Sequence, residues 1–358
     1  MAIQVLVVDD SPFIRKAIVK MLQTEADIHV VGEATNGREA VEKVKSLKPD
    51  VVTMDVEMPV MDGISALKEI MRDSPTPVIM VSSLTENGAK TTLEALKFGA
   101  IDYLPKDITN SSLSIMNKRI EIIAKIRSAV TAKRRLRSRS DSDINVIQVV
   151  HTRVRSQVEH QERLTYRILA IGTSTGGPPA LERVITRLPA DFPIPVLIVQ
   201  HMPPVFTRSL AERLDSLSQI RVKEAEEGET IQPGKAYIAP GNQHMSLRRL
   251  SDLFTVRLSQ EPAALINRPS VDVMMDSCAD YFNKDLLGVI MTGMGHDGLT
   301  ACRRIRKQQG TLIAQNEDTC VVFGMPGSIV RENLPQWVLP LDDIAPKIVE
   351  LVYGEGKN

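Results

Sequence analysis

Short runs of β-branched and aliphatic residues alternate with helical patterns along most of the chain, and the alternation breaks down only once. Within residues 1–126 the runs IQVLVVDD, IHVVGEA, DVVTMD, PVIMVSS and AIDYLPKD are spaced by segments such as REAVEKVKSLK and GISALKEIMRD, whose apolar residues recur at three and four. A strand followed by a helix and another strand favours a right-handed crossover that leaves the strands parallel, so this half predicts a five-stranded parallel sheet with helices on both faces. From residue 166 the alternation resumes. RILAIG, IPVLIVQH, KAYIAPG, LLGVIMTG and GTLIAQN read as strands, and SLRRLSDLFTVRLS reads as a hairpin. PPALERVITRL, FTRSLAERLDSL, SVDVMMDSCADYF and GLTACRRIRKQQ read as helices. No repeat of fixed period relates the halves. The predicted fold class is α/β, with two doubly wound parallel-sheet domains, the second carrying a β-hairpin.

Between them, residues 127–165 are rich in Arg and Ser and poor in large apolar residues outside VIQVV. They are expected to form an exposed linker, helical near its start as an extension of the preceding helix. The Lys133 to Arg139 cluster lacks the aromatic interleaving and recognition-helix pattern of a nucleic-acid surface, so a solvated linker is the better reading. At 358 residues the chain is long enough for two cores. Its 44 basic residues balance 44 acidic ones, which gives no whole-molecule attraction to nucleic acid or membrane. Met1 runs almost directly into the first strand without a basic leader, and no apolar run approaches membrane-spanning length, so a cytoplasmic location is expected. Cys278, Cys302 and Cys320 form no C-x-x-C pair and suit buried or idle thiols in a reducing compartment.

Parallel α/β sheets bind ligands at the C-terminal ends of their strands. Asp9 and Asp10 end the first strand and Asp55 the third, so three carboxylates should converge on one rim and require a divalent cation. All-oxygen ligation points to magnesium. Ser82, ending the fourth strand, and Lys106, just past the fifth, belong to the same rim, and a cation and a hydroxyl beside a metal-bound Asp are what a phosphoryl group there would require. Through LVVDDS, DVVTMDVEMPVMDG, IMVSS and AIDYLPK this third of the chain resembles the flavodoxin-like receiver domain of response regulators. The resemblance implies that Asp55 accepts a phosphoryl group and that Asp10, Asp55 and the Glu57 carbonyl ligate Mg2+, with Asp9 assisting through water. It further implies that Ser82 is the switch hydroxyl, Lys106 pairs with the phosphate, and Tyr103 moves on phosphorylation. Receivers usually carry Pro after this lysine, whereas here Pro105 precedes it and Asp107 follows.

The second half opens on IGTSTGGPPALERVI, a strand, a Gly-rich turn and a helix. It leads into Pro178 and Pro179 where a P-loop needs Gly-Lys-Ser/Thr, and Gly172, Gly176 and Gly177 miss the dinucleotide spacing. A dinucleotide site would also want an acid at the end of the next strand, which ends in His201. A tight turn of purely structural meaning stays open on this stretch alone. As G-x-S-x-G, however, it would expose the Ser174 hydroxyl at the sheet rim near the amides of the following helix. Such an alcohol needs a base, and His201 ends the adjacent predicted strand; Asp297, in the Gly-rich turn of VIMTGMGHDG, could fix its tautomer. His244 and His296 are rival bases that also fit ordinary polar or hydrogen-bonding roles.

Through IGTSTGGPPAL, VQHMPPVFTRSLAERLD, AYIAPGNQHM, NRPSVDVMM and MTGMGHDG the second half resembles the Rossmann-like catalytic domain of the chemotaxis protein-glutamate methylesterases, a family that also joins a receiver to an esterase. The resemblance implies Ser174 as nucleophile, His201 as base and Asp297 as its orienting acid. The Met294 amide would serve the oxyanion hole, with Thr175 as a supporting hydroxyl. It implies hydrolysis of glutamate γ-methyl esters and deamidation of selected glutamines on methyl-accepting chemoreceptors, a chemotaxis histidine kinase as phosphodonor, and no cofactor in the esterase half. A receiver-controlled DNA-binding regulator would need a helix-turn-helix that the second half does not offer. A noncatalytic nucleotide-binding module would account for the glycines but not for His201 and Asp297.

Overall fold

The computed structural model describes residues 2–106, 112–140, 166–265 and 267–354. Asp107 and the linker beyond residue 140 lie outside them. In the first half β1 (Ile3–Val8), β2 (Ile28–Ala34), β3 (Val51–Asp55), β4 (Val78–Ser82) and β5 (Asp102–Pro105) form one parallel sheet in the order β2-β1-β3-β4-β5. That is the doubly wound order, which places its switch point between β1 and β3. The helices are α1 (Pro12–Leu22), α2 (Gly37–Leu47), α3 (Gly63–Asp73), α4 (Glu86–Lys97) and α5 (Ser112–Ser140). Ser11, Asn36, Asp62 and Thr85 each accept a backbone N–H at the start of α1 to α4, so those helices begin where the rim loops end. The helix α5 runs on past residue 126 into the basic stretch, because Ala129 and Val130 are still buried with Ile126 against the receiver core.

The second half is built on β6 (Ile168–Thr173), β7 (Val196–Gln200), β8 (Arg221–Glu224), β9 (Lys235–Ile238), β10 (His244–Leu250), β11 (Leu253–Ser259), β12 (Leu286–Ile290), β13 (Thr311–Gln315) and β14 (Trp337–Leu339). Seven of these make a parallel sheet in the order β14-β13-β12-β6-β7-β9-β8, and β10 pairs with β11 as a separate antiparallel hairpin. Its helices are α6 (Gly177–Ile185), α7 (Pro204–Leu217), α8 (Val271–Phe282), α9 (Leu299–Lys307), α10 (Met325–Arg331) and α11 (Leu341–Tyr353). The five-residue strands β7, β12 and β13 are buried at every position, as strands covered on both faces must be. The strand β6 lies between β12 and β7, so three chain crossovers end side by side at the middle of the C-terminal rim.

The halves meet through α4, which packs on α6 and α7, and through a stack of Tyr103 on Phe206 with centroids 4.5 Å apart and planes 10° apart. Among the described residues no helix is long and apolar enough to cross a membrane.

Candidate active site and acid pocket

Backbone hydrogen bonds that continue past the strand ends hold three loops at the rim of the second sheet. The Ser174 N–H donates to the Thr292 carbonyl at 3.0 Å, and the His201 N–H donates to the Thr173 carbonyl at 3.2 Å. The turn is tight for two local reasons. Gly176 takes φ +75°, a left-handed conformation that costs glycine least. At Gly177 a Cβ would stand 1.9 Å from Gln200 Oε1 and 2.2 Å from Thr173 Oγ1, so a bare backbone is required there. The turn leaves Ser174 half-buried at the start of α6.

His201 Nε2 lies 2.8 Å from Asp297 Oδ2, with only 12% and 9% of the two side chains exposed. Asp297 is held by three further donors: Ser270 Oγ at 2.8 Å and the Asp272 N–H at 3.0 Å to Oδ1, and the Val271 N–H at 2.7 Å to Oδ2. Burial pushes this carboxyl up, but the His201 ring and the amides at the start of α8 outweigh it and hold its pKa below the usual range. The carboxylate therefore stays ionised and faces Nε2, which leaves Nδ1 as the ring nitrogen free to take a proton.

The other predicted residues of this half fall as follows. Met294 is half-buried in the loop after β12, and its Sδ lies 3.7 Å from Ser128 Oγ of α5. Thr175 is buried, and its hydroxyl donates across the domain boundary to Asp102 Oδ2 at 2.6 Å. His296 is exposed beside Asp297. His244 begins β10 and is 1% exposed, and burial lowers its pKa.

At the rim of the first sheet, ligand oxygens of Asp9, Asp10 and Asp55 lie within 4.8 Å of one another. Asp9 and Asp55 are buried and Asp10 is exposed. Lys106 Nζ reaches both buried acids, at 3.1 Å from Asp9 Oδ2 and 2.6 Å from Asp55 Oδ2. Burial, with the Asp9 charge adding to it, pushes the Asp55 carboxyl up to about 6 against the opposing pull of Lys106. The Glu57 N–H donates to Asp55 Oδ1 at 3.3 Å, which brings that peptide to the cluster. Ser82 is turned away from the acids: its hydroxyl donates to the carbonyls of Gly88 at 3.2 Å and Ser83 at 3.4 Å, at the first turn of α4. Tyr103 is buried in its stack on Phe206, and burial raises its phenol well above the ordinary value.

Sequence reasoning passed over Asp102, Gln200 and Ser270. Asp102 looks like any polar residue opening a strand, and Ser270 like any helix cap. Gln200 carried a usable signal, since it is the polar residue that closes the apolar run of a central strand.

Residues 169–348 match the CheB methylesterase family and residues 5–117 match the response regulator receiver domain. The protein-glutamate methylesterase/protein-glutamine glutaminase of Lawsonia intracellularis is 45% identical over 355 residues, covering 98% of this chain and 99% of its own. The protein of the same description from Thermotoga maritima is 44% identical over 350 residues, covering 98% of both chains. The crystal structure of the Thermotoga maritima CheB methylesterase catalytic domain is 45% identical with a TM-score of 0.51, covering 52% of this chain and all of that one. With relatives this similar along almost its whole length, the chain belongs to the protein-glutamate methylesterase/protein-glutamine glutaminase family, as a receiver domain joined to a CheB methylesterase domain.

Proposed function

We propose that the chain is a phosphorylation-regulated serine hydrolase that demethylates glutamate γ-methyl esters, and deamidates selected glutamines, on chemoreceptors in chemotactic adaptation. The observation that carries the reading is the His201–Asp297 pair, half-buried and bonded at 2.8 Å on the same rim as the half-buried Ser174. Ser174 Oγ attacks the ester carbonyl while His201 Nδ1 takes its proton, and Asp297 stabilises the imidazolium that forms. The oxyanion is stabilised by backbone N–H groups at the rim, the Met294 amide of the loop after β12 among them, with the Thr175 hydroxyl in support. The proton returns to the departing methanol, and water then cleaves the acyl-enzyme with His201 again as base. The same steps release ammonia from a carboxamide, which must be protonated as it leaves.

The receiver supplies the control. The carboxylates of Asp9, Asp10 and Asp55 are a hard oxygen set that fits Mg2+, with Asp10, Asp55 and the Glu57 carbonyl as ligands and Asp9 acting through water. When bound, the ion neutralises charge during phosphoryl transfer to Asp55. Lys106 pairs with the phosphoryl oxygens, Ser82 and Tyr103 report its arrival, and a chemotaxis histidine kinase is the donor. In the unphosphorylated protein the docked receiver withholds the catalytic rim, and phosphorylation shifts the population toward undocked states. The domain assignment follows: receiver to residue 126, linker 127–165, esterase from 166. Receptors with cytoplasmic methylation helices make the cytoplasm the working compartment.

The test is Ser174→Ala in the full-length protein. Methanol release from methyl-labelled receptor membranes should vanish while acetyl-phosphate labelling of Asp55 stays intact. Unchanged methanol release, or joint loss of both properties, would refute two separate sites with Ser174 as nucleophile.

A further inference from the structure

Between the proposed nucleophile and its base stands a side chain placed to touch neither reacting atom. Gln200 closes β7 and is 2% exposed. Its Nε2 donates to the Ser174 carbonyl at 2.9 Å and to the His201 carbonyl at 3.2 Å, and its Oε1 accepts from Thr173 Oγ1. One buried amide thus spends both donors on the backbones of the two residues that must meet. A primary amide is costly to bury unless fully bonded, and an aliphatic side chain would fill the end of an apolar strand equally well. Room for this amide is kept by Gly177, which also donates its N–H to the Ser174 carbonyl at 2.8 Å.

Two donors on the Ser174 carbonyl fix the plane of the Ser174–Thr175 peptide. In a planar trans peptide the N–H points opposite the carbonyl, so the Thr175 N–H is aimed away from Gln200. The amide after a G-x-S-x-G serine is where an oxyanion donor is needed. On the far side, Thr292 Oγ1 donates to the Thr175 carbonyl at 2.9 Å, so the next peptide is held as well. We infer that Gln200 is a positioning residue of the esterase, setting the spacing of Ser174 from His201 and aiming the Thr175 N–H at the oxyanion. The inference rests on the Ser174, His201 and Asp297 reading above.

The experiment uses full-length protein carrying Gln200→Met, similar in volume without donors, or Gln200→Glu, which keeps an acceptor for Thr173 but donates nothing when ionised. Methanol release gives kcat and KM, a small fluorophosphonate reports the intrinsic reactivity of Ser174, and a parent-like cooperative melting transition of the catalytic half is the folding control. In both variants kcat should fall by roughly 10- to 100-fold, up to the scale of an ångström misplacement and short of an oxyanion donor removed outright, because the donor is misaimed rather than lost. KM should stay within about threefold, because no group that binds the ester has been removed. Phosphonylation should slow in step with kcat. A parent-like kcat in Gln200→Met overturns the inference, as does a fall in kcat with undiminished phosphonylation. Should Gln200→Met lose its folded catalytic half, Thr173→Val carries the test by freeing Oε1 while leaving the amide. There kcat and phosphonylation should drop together by at least about threefold, and parent-like values overturn the inference. Failure of the parent protein to phosphonylate at Ser174 would instead sink the reading of the triad.

Discussion

The bond most exposed to a decisive experiment runs from Thr175 Oγ1 to Asp102 Oδ2, 2.6 Å long and buried between the two halves. Asp102 opens β5, and its other oxygen lies 3.1 Å from Lys125 Nζ. Lys125 is also 3.4 Å from Glu121 and donates to the Tyr103 carbonyl at 2.7 Å. Burial lowers the Lys125 pKa, but these acids outweigh it and keep the ammonium charged. Asp102→Asn preserves shape and removes the charge. A hydrogen bond to a charged group contributes about 1.5–3 kcal/mol and a neutral one about 0.5–1.5, so docking should lose roughly 1 kcal/mol. The Lys125 pairing belongs to the receiver whether docked or not, and to first order it cancels from the docking equilibrium. A change of 1 kcal/mol shifts the docked-to-undocked ratio about fivefold. If the docked form dominates without phosphate, methanol release by unphosphorylated Asp102→Asn should rise by about that factor. The rate with saturating phosphodonor should match the parent. Full-length protein and methyl-labelled receptor membranes suffice, assayed with and without acetyl phosphate. A basal rate equal to or below the parent's, in a variant that still labels at Asp55, would refute the idea that this bond holds the receiver on the esterase.

Gly177→Ala places a methyl against Gln200 Oε1 and Thr173 Oγ1, at 1.9 and 2.2 Å. The obstructing atoms end side chains, so the catalytic half should still fold at a cost of about 1–3 kcal/mol in its melting transition. Its kcat should drop at least about tenfold through the displaced amide, and a parent-like kcat would contradict that. Cys278 and Cys302 are fully buried, and burial raises both thiols far above their ordinary range. Neither should react with iodoacetamide in the native protein, whereas both should react in denaturant; native labelling would contradict the packing of α8 and α9.

Most of the architecture was legible because strand and helix periods alternate with rim residues at the strand ends. The family motifs also brought Ser174, His201 and Asp297 to adjacent loops before any coordinates. Four elements were not legible. The strand β8 has four residues and an exposed or half-buried face, and β14 has only three. The helix α10 is seven residues long, and α11 carries Pro346 inside it. Pattern reasoning needs several turns or a run of alternation, and these segments are specified by neighbours rather than by their own period. The burial of Ala129 and Val130 was not legible for a related reason: two small apolar residues in an Arg-rich stretch give little hydropathy, yet both are buried against the first core. Ser82 shows another limit. Its position at a strand end is visible in sequence, but the direction of its hydroxyl is set by the carbonyls of Gly88 and Ser83. Asp102 could not be read as an interdomain residue, because its partner lies 73 positions away in the other half.

Thr175 joins the two lines of reasoning, since it follows the nucleophile in sequence and meets the receiver in space. A threonine hydroxyl has one proton to donate, and in the docked arrangement that proton goes to Asp102. The same hydroxyl cannot then support the oxyanion in the proposed mechanism. Under the proposed control, docking would therefore act on the chemistry as well as on access: a substrate small enough to slip past the receiver would still meet a turn deprived of its supporting hydroxyl. Release of the receiver would on that reading return the proton to the rim, while Gln200, Gly177 and Thr292, all within the esterase half, hold the adjoining peptides by bonds that do not involve the receiver. Under the proposed control by docking, hydrogen bonds within the esterase half would hold the peptides of the turn in both states and the Thr175 hydroxyl would be the group that switches.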